Sequence, residues 1–193
     1  MRPDALNTRY SLSARLIFAA VRMITRRPLP DAAKINLYRP EFYGDPMKRL
    51  TQAAMRGPSS WSIGERELMA AYVSAANGSA FCIGAHRATA AGALGTPSVV
   101  DQTLNDLDTA PIGEPLRATL RLLGKVTQET AITLDDVREV LRSGVSAEQI
   151  KDALDVCFAF NVINRLADSF DFARLTPDGY AGGARYLLKR GYQ

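Results

Sequence analysis

The chain has 193 residues, of which 47% are hydrophobic and 23% charged, a length and composition typical of one globular domain rather than a disordered or fibrous chain. Its net charge of +4 is modest and no aromatic and basic reading motif accompanies it, which argues against a nucleic-acid-binding surface. The two cysteines lie far apart without metal-ligand neighbours, which excludes a disulfide framework and a zinc site.

The sequence also indicates the cellular compartment of the protein. No apolar run is long enough to cross a membrane, and the N-terminal segment lacks the hydrophobic stretch and cleavage site of a signal peptide. Two unpaired cysteines suit a reducing environment. We therefore predict a cytoplasmic protein with no stable membrane association.

The first predicted element is an amphipathic helix over Ser11–Arg27, preceded by a flexible polar lead-in at residues 1–10. One stripe of this helix is apolar and another is basic. Packing against the core or a neighbouring subunit is favoured over binding to an anionic membrane. Pro28 and Pro30 end the helix.

Residues Leu37–Gly44 combine three aromatic side chains with a Pro and a Gly, which predicts an irregular connector. The aromatic residues are interpreted as packing or interface residues rather than the lining of a substrate entrance. Asp45 is predicted to cap a helix that ends near Met55. Ser62 and Glu65 then form a capping box for an apolar, buried helix that ends near Ala76.

The rest of the chain is predicted to form further helices, whose ends are marked by Gly, Pro and Ser residues. They are a helix carrying Cys82 that ends near Leu94, Ser98–Leu107, Leu116–Thr127 after a loop at Thr109–Pro115, Thr133–Arg142, Ala147–Phe170 capped by Ser146, and Gly179–Lys189. No segment shows the sustained alternation of a strand. We predict an all-α fold with a single domain over residues 1–193.

The residues with the most distinctive chemistry lie between positions 64 and 90. Glu67 lies in one predicted helix, whereas Cys82 and the only histidine, His86, lie four residues apart in the next, after a break at Asn77-Gly78. Cys82 and His86 therefore share a helix face. A helix N-terminus favours a thiolate, a neighbouring imidazole can take the thiol proton, and a carboxylate can orient that imidazole or relay the proton.

This spacing resembles the motif of the AhpD-like alkylhydroperoxidase and carboxymuconolactone decarboxylase superfamily: Glu, eleven residues, Cys-x-x-Cys, three residues, His. Glu67, Cys82 and His86 match it, but Ser79 stands where the first Cys would be, so the Cys-x-x-Cys disulfide cannot form. Further segments resemble the peroxidase-related branch: Leu29-Pro30, Leu50, residues 61–67 and residues 160–168.

The resemblance implies an AhpD-like helical bundle that assembles as a trimer or hexamer and needs no metal or other cofactor. It implies reduction of a hydroperoxide by Cys82, with His86 and Glu67 as the proton relay. An external thiol would complete turnover, or Cys157 if the fold brings it near. Two alternatives stay open: a carboxymuconolactone decarboxylase-like lyase without a redox thiol, and a non-catalytic oligomeric scaffold.

The longest predicted helix carries a second cysteine and a polar seam. Cys157 lies among large apolar residues and is interpreted as an inert core thiol. The seam consists of Asn161, Asn164, Arg165 and Asp168. It is predicted to be a hydrogen-bonded structural network, the alternative being that Arg165 approaches Glu67 or the mouth of the Cys82 site.

Overall fold

The computed structural model describes residues 10–26, 28–128 and 131–192. Within these ranges the chain forms ten α-helices, one π-helical turn and no β-strand, which confirms the all-α prediction. Residues 1–9 of the predicted lead-in lie outside them. The helices are Leu12–Thr25 (α1), Asp31–Tyr38 (α2), Asp45–Arg56 (α3), Ile63–Ala76 (α4), Ala80–Leu94 (α5), Pro97–Asn105 (α6), Glu114–Gln128 (α7), Leu134–Arg142 (α8), Ala147–Ser169 (α9) and Pro177–Arg190 (α10).

Capping boxes begin three of these helices. At the start of α4, Ser62 Oγ accepts a hydrogen bond from the Glu65 N–H at 3.2 Å, and Glu65 Oε2 accepts one from the Ser62 N–H at 2.8 Å. Equivalent boxes stand at Thr133 before α8 and at Ser146 before α9. Each cap satisfies amide groups that the helix leaves unpaired, which is worth about 1 kcal/mol. All three predicted helix starts are confirmed.

The predicted irregular connector over Leu37–Gly44 is largely helical instead. Helix α2 ends at Tyr38, and a π-helical turn follows at Pro40–Gly44. Asp31 favours the start of α2 through the helix dipole and pairs with Lys34 at 2.7 Å. Pro40 ends α2, because the residue before a proline disfavours the helical conformation. Gly44, rather than the predicted Asp45, is the cap of α3.

Helix α4 lies at the centre of the main core. Leu68, Met69 and Val73 have no exposed surface and pack with apolar residues of α3, α7 and α9. The predicted burial of this helix is confirmed. A second, smaller core cluster consists of Ile35, Phe81, Cys82, Ala167 and Phe172.

Small residues on α5 allow α10 to pack closely against it. A Cβ atom on Gly84 would lie 2.4 Å from the ring of Tyr180, and one on Gly92 would lie 3.1 Å from Leu188 Cδ1. The small residues of α5 thus form a close-packing surface for α10. This contact also carries the segment after α10 towards Glu67.

Helix α1 keeps most of its large apolar side chains exposed. Leu12, Leu16, Met23 and Ile24 are 79%, 71%, 78% and 80% exposed, while Ala14 is buried. Packing of this face on the chain's own core is therefore not observed, and packing on a neighbouring subunit stays a prediction. None of the helices in the described ranges is long and apolar enough to span a membrane.

Candidate active site

Glu67 and His86 face each other across the α4–α5 hairpin. Glu67 is the fifth residue of α4 and His86 the seventh of α5. Between the two helices, Gly78 takes a positive φ of 70°, a conformation that glycine adopts without strain. The distance from His86 Nδ1 to Glu67 Oε2 is 2.8 Å. Two of the three predicted site residues are therefore in direct contact.

The Glu67 carboxylate has three partners and no exposed surface. Its Oε1 accepts hydrogen bonds from Arg56 Nη2 at 2.7 Å and from Tyr192 Oη at 2.8 Å. Burial alone would favour the neutral acid, but the hydrogen bonds and positive charges of His86 and Arg56 outweigh it and lower the pKa of Glu67. Glu67 is therefore ionised in the folded protein.

The ionised carboxylate fixes the tautomer of His86. A carboxylate can only accept hydrogen bonds, so Nδ1 of His86 carries a proton, and whenever the ring is neutral its lone pair lies on Nε2. No residue of the described ranges forms a hydrogen bond with Nε2. The ring meets Phe160 edge-on, with 4.3 Å between centroids, and stacks near Tyr192. His86 is thus a base held in one orientation.

Cys82 is the third residue of α5, one turn before His86 on the same helix face. The expected stabilisation of a thiolate is not found. Burial raises the pKa of the Cys82 thiol from 9.0 to about 11; the Ser79 hydroxyl opposes this, and the negative charge of Asp168 adds to it. The side chain is 2% exposed. The free-energy cost of desolvating a thiolate there exceeds the stabilisation that the helix N-terminus gives to a negative charge. Among the described contacts, no hydrogen bond joins Cys82 to His86.

The raised pKa gives a measurable pH dependence. We expect the rate of Cys82 alkylation by iodoacetamide to keep rising through pH 10 without levelling, because the thiol ionises near 11. Protonation of Cys82 in the fold contributes stability that is complete below pH 9 and lost as pH rises from 9 to 11, on the order of 2–3 kcal/mol in total. Peptide mapping by mass spectrometry separates Cys82 from Cys157. A plateau below pH 9 would contradict the assignment.

Ser79 is the N-cap of α5 and links it to α9. Its Oγ donates to Asp168 Oδ1 at 2.8 Å, and the residue has no exposed surface. This is the position at which the motif resemblance places the first Cys of Cys-x-x-Cys. Here it provides a partly buried hydrogen bond between two helices beside Cys82.

The polar seam of α9 is the predicted structural network. Asn164 Oδ1 accepts from Ser74 Oγ at 3.0 Å, and Asn161 Oδ1 accepts from Asn77 Nδ2 at 3.1 Å. Arg165 Nη1 donates to the carbonyl and side-chain oxygens of Asn161 at 2.8 and 3.0 Å. The alternative placed Arg165 at Glu67 or at the mouth of the Cys82 site; its approach to Glu67 is not found, because the guanidinium bonds to Asn161 and Asn77.

The cation at Glu67 is Arg56, and Arg56 and Tyr192 are the two site residues that sequence reasoning missed. Arg56 stands in the last turn of α3, where a basic residue ordinarily complements the helix dipole. Tyr192 follows α10 and meets Glu67 only through tertiary packing. No spacing or motif in the sequence links either residue to Glu67.

Cys157 belongs to the main core, whereas Cys82 belongs to the smaller cluster. Cys157 is 1% exposed, and its Sγ lies 3.3 Å from Asn161 Nδ2 and 3.6 Å from Thr127 Oγ1. Burial raises its pKa, with these two hydrogen bonds opposing. The surroundings are those of the predicted core thiol, and the fold does not place its sulfur in the cluster that holds Cys82.

The arrangement offers a base, a thiol and a fixed carboxylate as its chemical groups. Within the described ranges, no three His, Cys, Asp or Glu side chains come together in a way that could hold a metal ion. Proton transfer at His86 Nε2 and nucleophilic attack by Cys82 Sγ are the reactions these side chains can carry.

Comparison with known proteins agrees with this description. Residues 42–124 match the family model described as the Carboxymuconolactone decarboxylase family. The matched segment contains Glu67, Cys82 and His86. Among proteins with curated descriptions, none matches the chain.

Two crystal structures are similar to the chain over most of their length. One is an uncharacterized peroxidase-related protein from Silicibacter sp. TM1040, with a TM-score of 0.76, 23% identity and 93% of each chain covered. The other, titled alkylhydroperoxidase AhpD core, is an uncharacterized peroxidase-related protein from Ralstonia eutropha JMP134, with a TM-score of 0.74, 22% identity, and 96% of this chain and 95% of that chain covered. The fold is thus AhpD-like, and residues 42–124 are similar to the Carboxymuconolactone decarboxylase family.

Proposed function

We propose that the protein is an oxidoreductase that reduces hydroperoxides through the single thiol of Cys82, with an external thiol as reductant. The observation that carries the proposal is the orientation of His86. Its Nδ1–H is held by ionised Glu67 at 2.8 Å, so Nε2 is the nitrogen that can accept a proton when the ring is neutral, on the helix face that also bears Cys82. A thiol whose pKa is about 11 needs such a base to react at neutral pH.

The proposed reaction begins when His86 Nε2 takes the proton from Cys82. The thiolate attacks the outer peroxide oxygen, an S–O bond forms as the O–O bond breaks, and the imidazolium returns the proton to the departing alkoxide. The products are an alcohol and a Cys82 sulfenic acid. Glu67 stays ionised, so it orients His86 rather than accepting the proton itself. Since Cys82 is 2% exposed, side chains of the smaller cluster must move to admit the peroxide.

An outside thiol then completes turnover. It attacks the sulfenic sulfur and releases water to leave a mixed disulfide, which a second thiol reduces to restore Cys82. The chain has no thiol at position 79 and Cys157 lies in the other cluster, which supports an external reductant.

The test is peroxide consumption by three proteins: wild type, Cys82→Ser and the matched control Cys157→Ser. With hydrogen peroxide or tert-butyl hydroperoxide and dithiothreitol or glutathione, we expect loss of Cys82 to lower the rate by about a hundredfold or more. Cys157→Ser should keep the wild-type rate. Equal rates in wild type and Cys82→Ser would reject the thiol mechanism.

A lyase of the carboxymuconolactone decarboxylase type is the second candidate function. The protonated, buried state of Cys82 favours it, because proton transfer by His86 alone requires no thiol. Lactone decarboxylation that survives Cys82→Ser but not His86→Ala would establish it. Absence of both activities would leave the non-catalytic scaffold.

We also propose that the protein is a cytoplasmic homo-oligomer, a trimer or hexamer, that binds neither nucleic acid nor membranes stably. The exposed apolar side chains Leu12, Leu16, Met23 and Ile24 support an interface between subunits at α1. A monomer mass by light scattering at micromolar concentration would contradict this assembly.

A further inference from the structure

Tyr192, in the segment that follows α10, contacts the ionised and titratable members of the site. Its Oη donates to Glu67 Oε1 at 2.8 Å. Its ring stacks on the His86 ring, with 6.4 Å between centroids and 17° between planes, and the Arg56 guanidinium lies 5.0 Å from the ring centre. The reaction steps described above do not use this side chain.

The backbone around Tyr192 is arranged to keep it there. Gly191 ends α10 with φ of 69° and ψ of −150°, a conformation that strongly favours glycine. The Tyr192 N–H then donates to Gln52 Oε1 on α3 at 2.8 Å. A Cβ atom on Gly191 would lie 2.5 Å from the same Gln52 oxygen. The turn at Gly191 therefore directs Tyr192 back over the site.

The charge that Glu67 presents to His86 depends on its other partners. Each donor to the carboxylate draws on its negative charge, so a carboxylate with three donors stabilises an imidazolium less than one with two. Tyr192 remains a neutral donor, because burial and the charge of Glu67 raise its pKa well above 10.

The other charged and titratable groups around this pair are few. Helix α3 contributes Arg56, α4 contributes Glu67 and, acting through its charge, Arg66, and α5 contributes Cys82. Helix α9 presents Phe160, which carries no charge. Tyr192 is thus the group that can be changed at Glu67 without altering any formal charge.

We propose that Tyr192 is a positioning residue of the site: with Arg56 it shares the charge of the Glu67 carboxylate, and it thereby limits how tightly His86 holds a proton. The inference rests on the proposed function in one respect, the role of His86 as the base. It predicts that Tyr192 keeps the base unprotonated, and therefore active, at lower pH.

The experiment uses the fact that the chain has a single histidine. In untagged full-length protein, the imidazole proton resonances in the NMR spectrum report His86 without assignment. We expect Tyr192→Phe to move the midpoint of their pH titration upward by about 0.5–1 pH unit, the size of one lost hydrogen bond to the carboxylate. An unchanged or lowered midpoint overturns the proposal.

Two further variants separate positioning from loosening of the fold. Tyr186→Phe changes an exposed tyrosine of α10, the helix that precedes Tyr192, and should leave the midpoint unchanged; an equal shift in it would overturn the proposal. Gly191→Ala should displace Tyr192 without deleting it and raise the midpoint in the same direction. If Tyr192→Phe fails to fold, as judged from the fluorescence of the only tryptophan, Trp61, Gly191→Ala decides the question.

The titration does not depend on any enzyme activity. If peroxide consumption is absent but the midpoint rises in Tyr192→Phe, the positioning role stands and the proposed reaction is wrong. If peroxide consumption is present but the midpoint does not move, the reaction stands and the role of Tyr192 is wrong. If peroxide is consumed and the midpoint also rises in Tyr192→Phe, the acid limb of the pH–rate profile should move to higher pH together with the midpoint.

Discussion

Glu67→Ala is expected to lower the free energy of unfolding by about 3–5 kcal/mol, the range for breaking a buried ion pair by removing one partner. The Arg56 side chain is 8% exposed, so its charge would be left without a carboxylate and with little water. The hydrogens of His86 Nδ1 and Tyr192 Oη would lose their acceptor as well. Denaturant unfolding followed by Trp61 fluorescence measures the change.

An exposed ion pair supplies the matched control. Arg87 and Asp101 are 54% and 38% exposed, so Asp101→Ala should cost about 1 kcal/mol or less. The double variant Arg56→Met with Glu67→Leu removes both charges and should be less destabilised than Glu67→Ala. If Glu67→Ala costs no more than Asp101→Ala, the buried cluster does not stabilise the fold in the way described.

The cluster also predicts the direction of acid sensitivity. Because the pKa of Glu67 is lower in the folded protein than its ordinary 4.5, ionised Glu67 contributes stability that is complete above the unfolded value. That contribution is lost as pH falls through the folded pKa. Glu67→Gln should therefore flatten the decline in stability below pH 4.5.

Local signals predicted most of the helices. The capping boxes at Ser62 and Ser146 involve residues three positions apart, so their side chains and amides meet whatever the rest of the chain does. Helix α2 was not predicted, because its eight residues are short and stand beside prolines and aromatic residues that indicate a loop. Its Ile35 is buried in the smaller cluster, so tertiary packing decides its conformation.

The contacts of the site also divide into those that local sequence predicts and those that only tertiary packing creates. Glu67 and His86 meet because one tight hairpin joins their helices. Such a contact has a fixed spacing in the sequence, so a sequence motif can predict it. Arg56 and Tyr192 arrive from α3 and from beyond α10, where no local pattern points to the carboxylate. The helix-terminus argument for Cys82 failed because Cys82 is buried in the smaller core cluster, together with Ile35 and Phe172, which are distant in sequence.

Ser79→Cys is expected to create a disulfide with Cys82 and to raise dithiol-dependent peroxide consumption at least about tenfold over wild type. Position 79 is the N-cap of α5 and Cys82 is its third residue, the Cys-x-x-Cys arrangement at a helix start that brings two sulfurs within bonding range. The new thiol would attack the Cys82 sulfenic acid within the same chain, instead of waiting for an outside thiol.

The same change has a structural cost that must be kept separate from its redox effect. Ser79 Oγ donates to Asp168 Oδ1 at 2.8 Å, and a thiol is a weaker donor, so the variant should lose about 1–2 kcal/mol of stability. The double variant Ser79→Cys with Cys82→Ser carries that cost without the pair and should show no gain in peroxide consumption. Mass spectrometry after mild oxidation locates the bond. A folded variant in which the introduced thiol does not join Cys82 would show that the motif alignment over this stretch is wrong, and the redox role of Cys82 would fall with it.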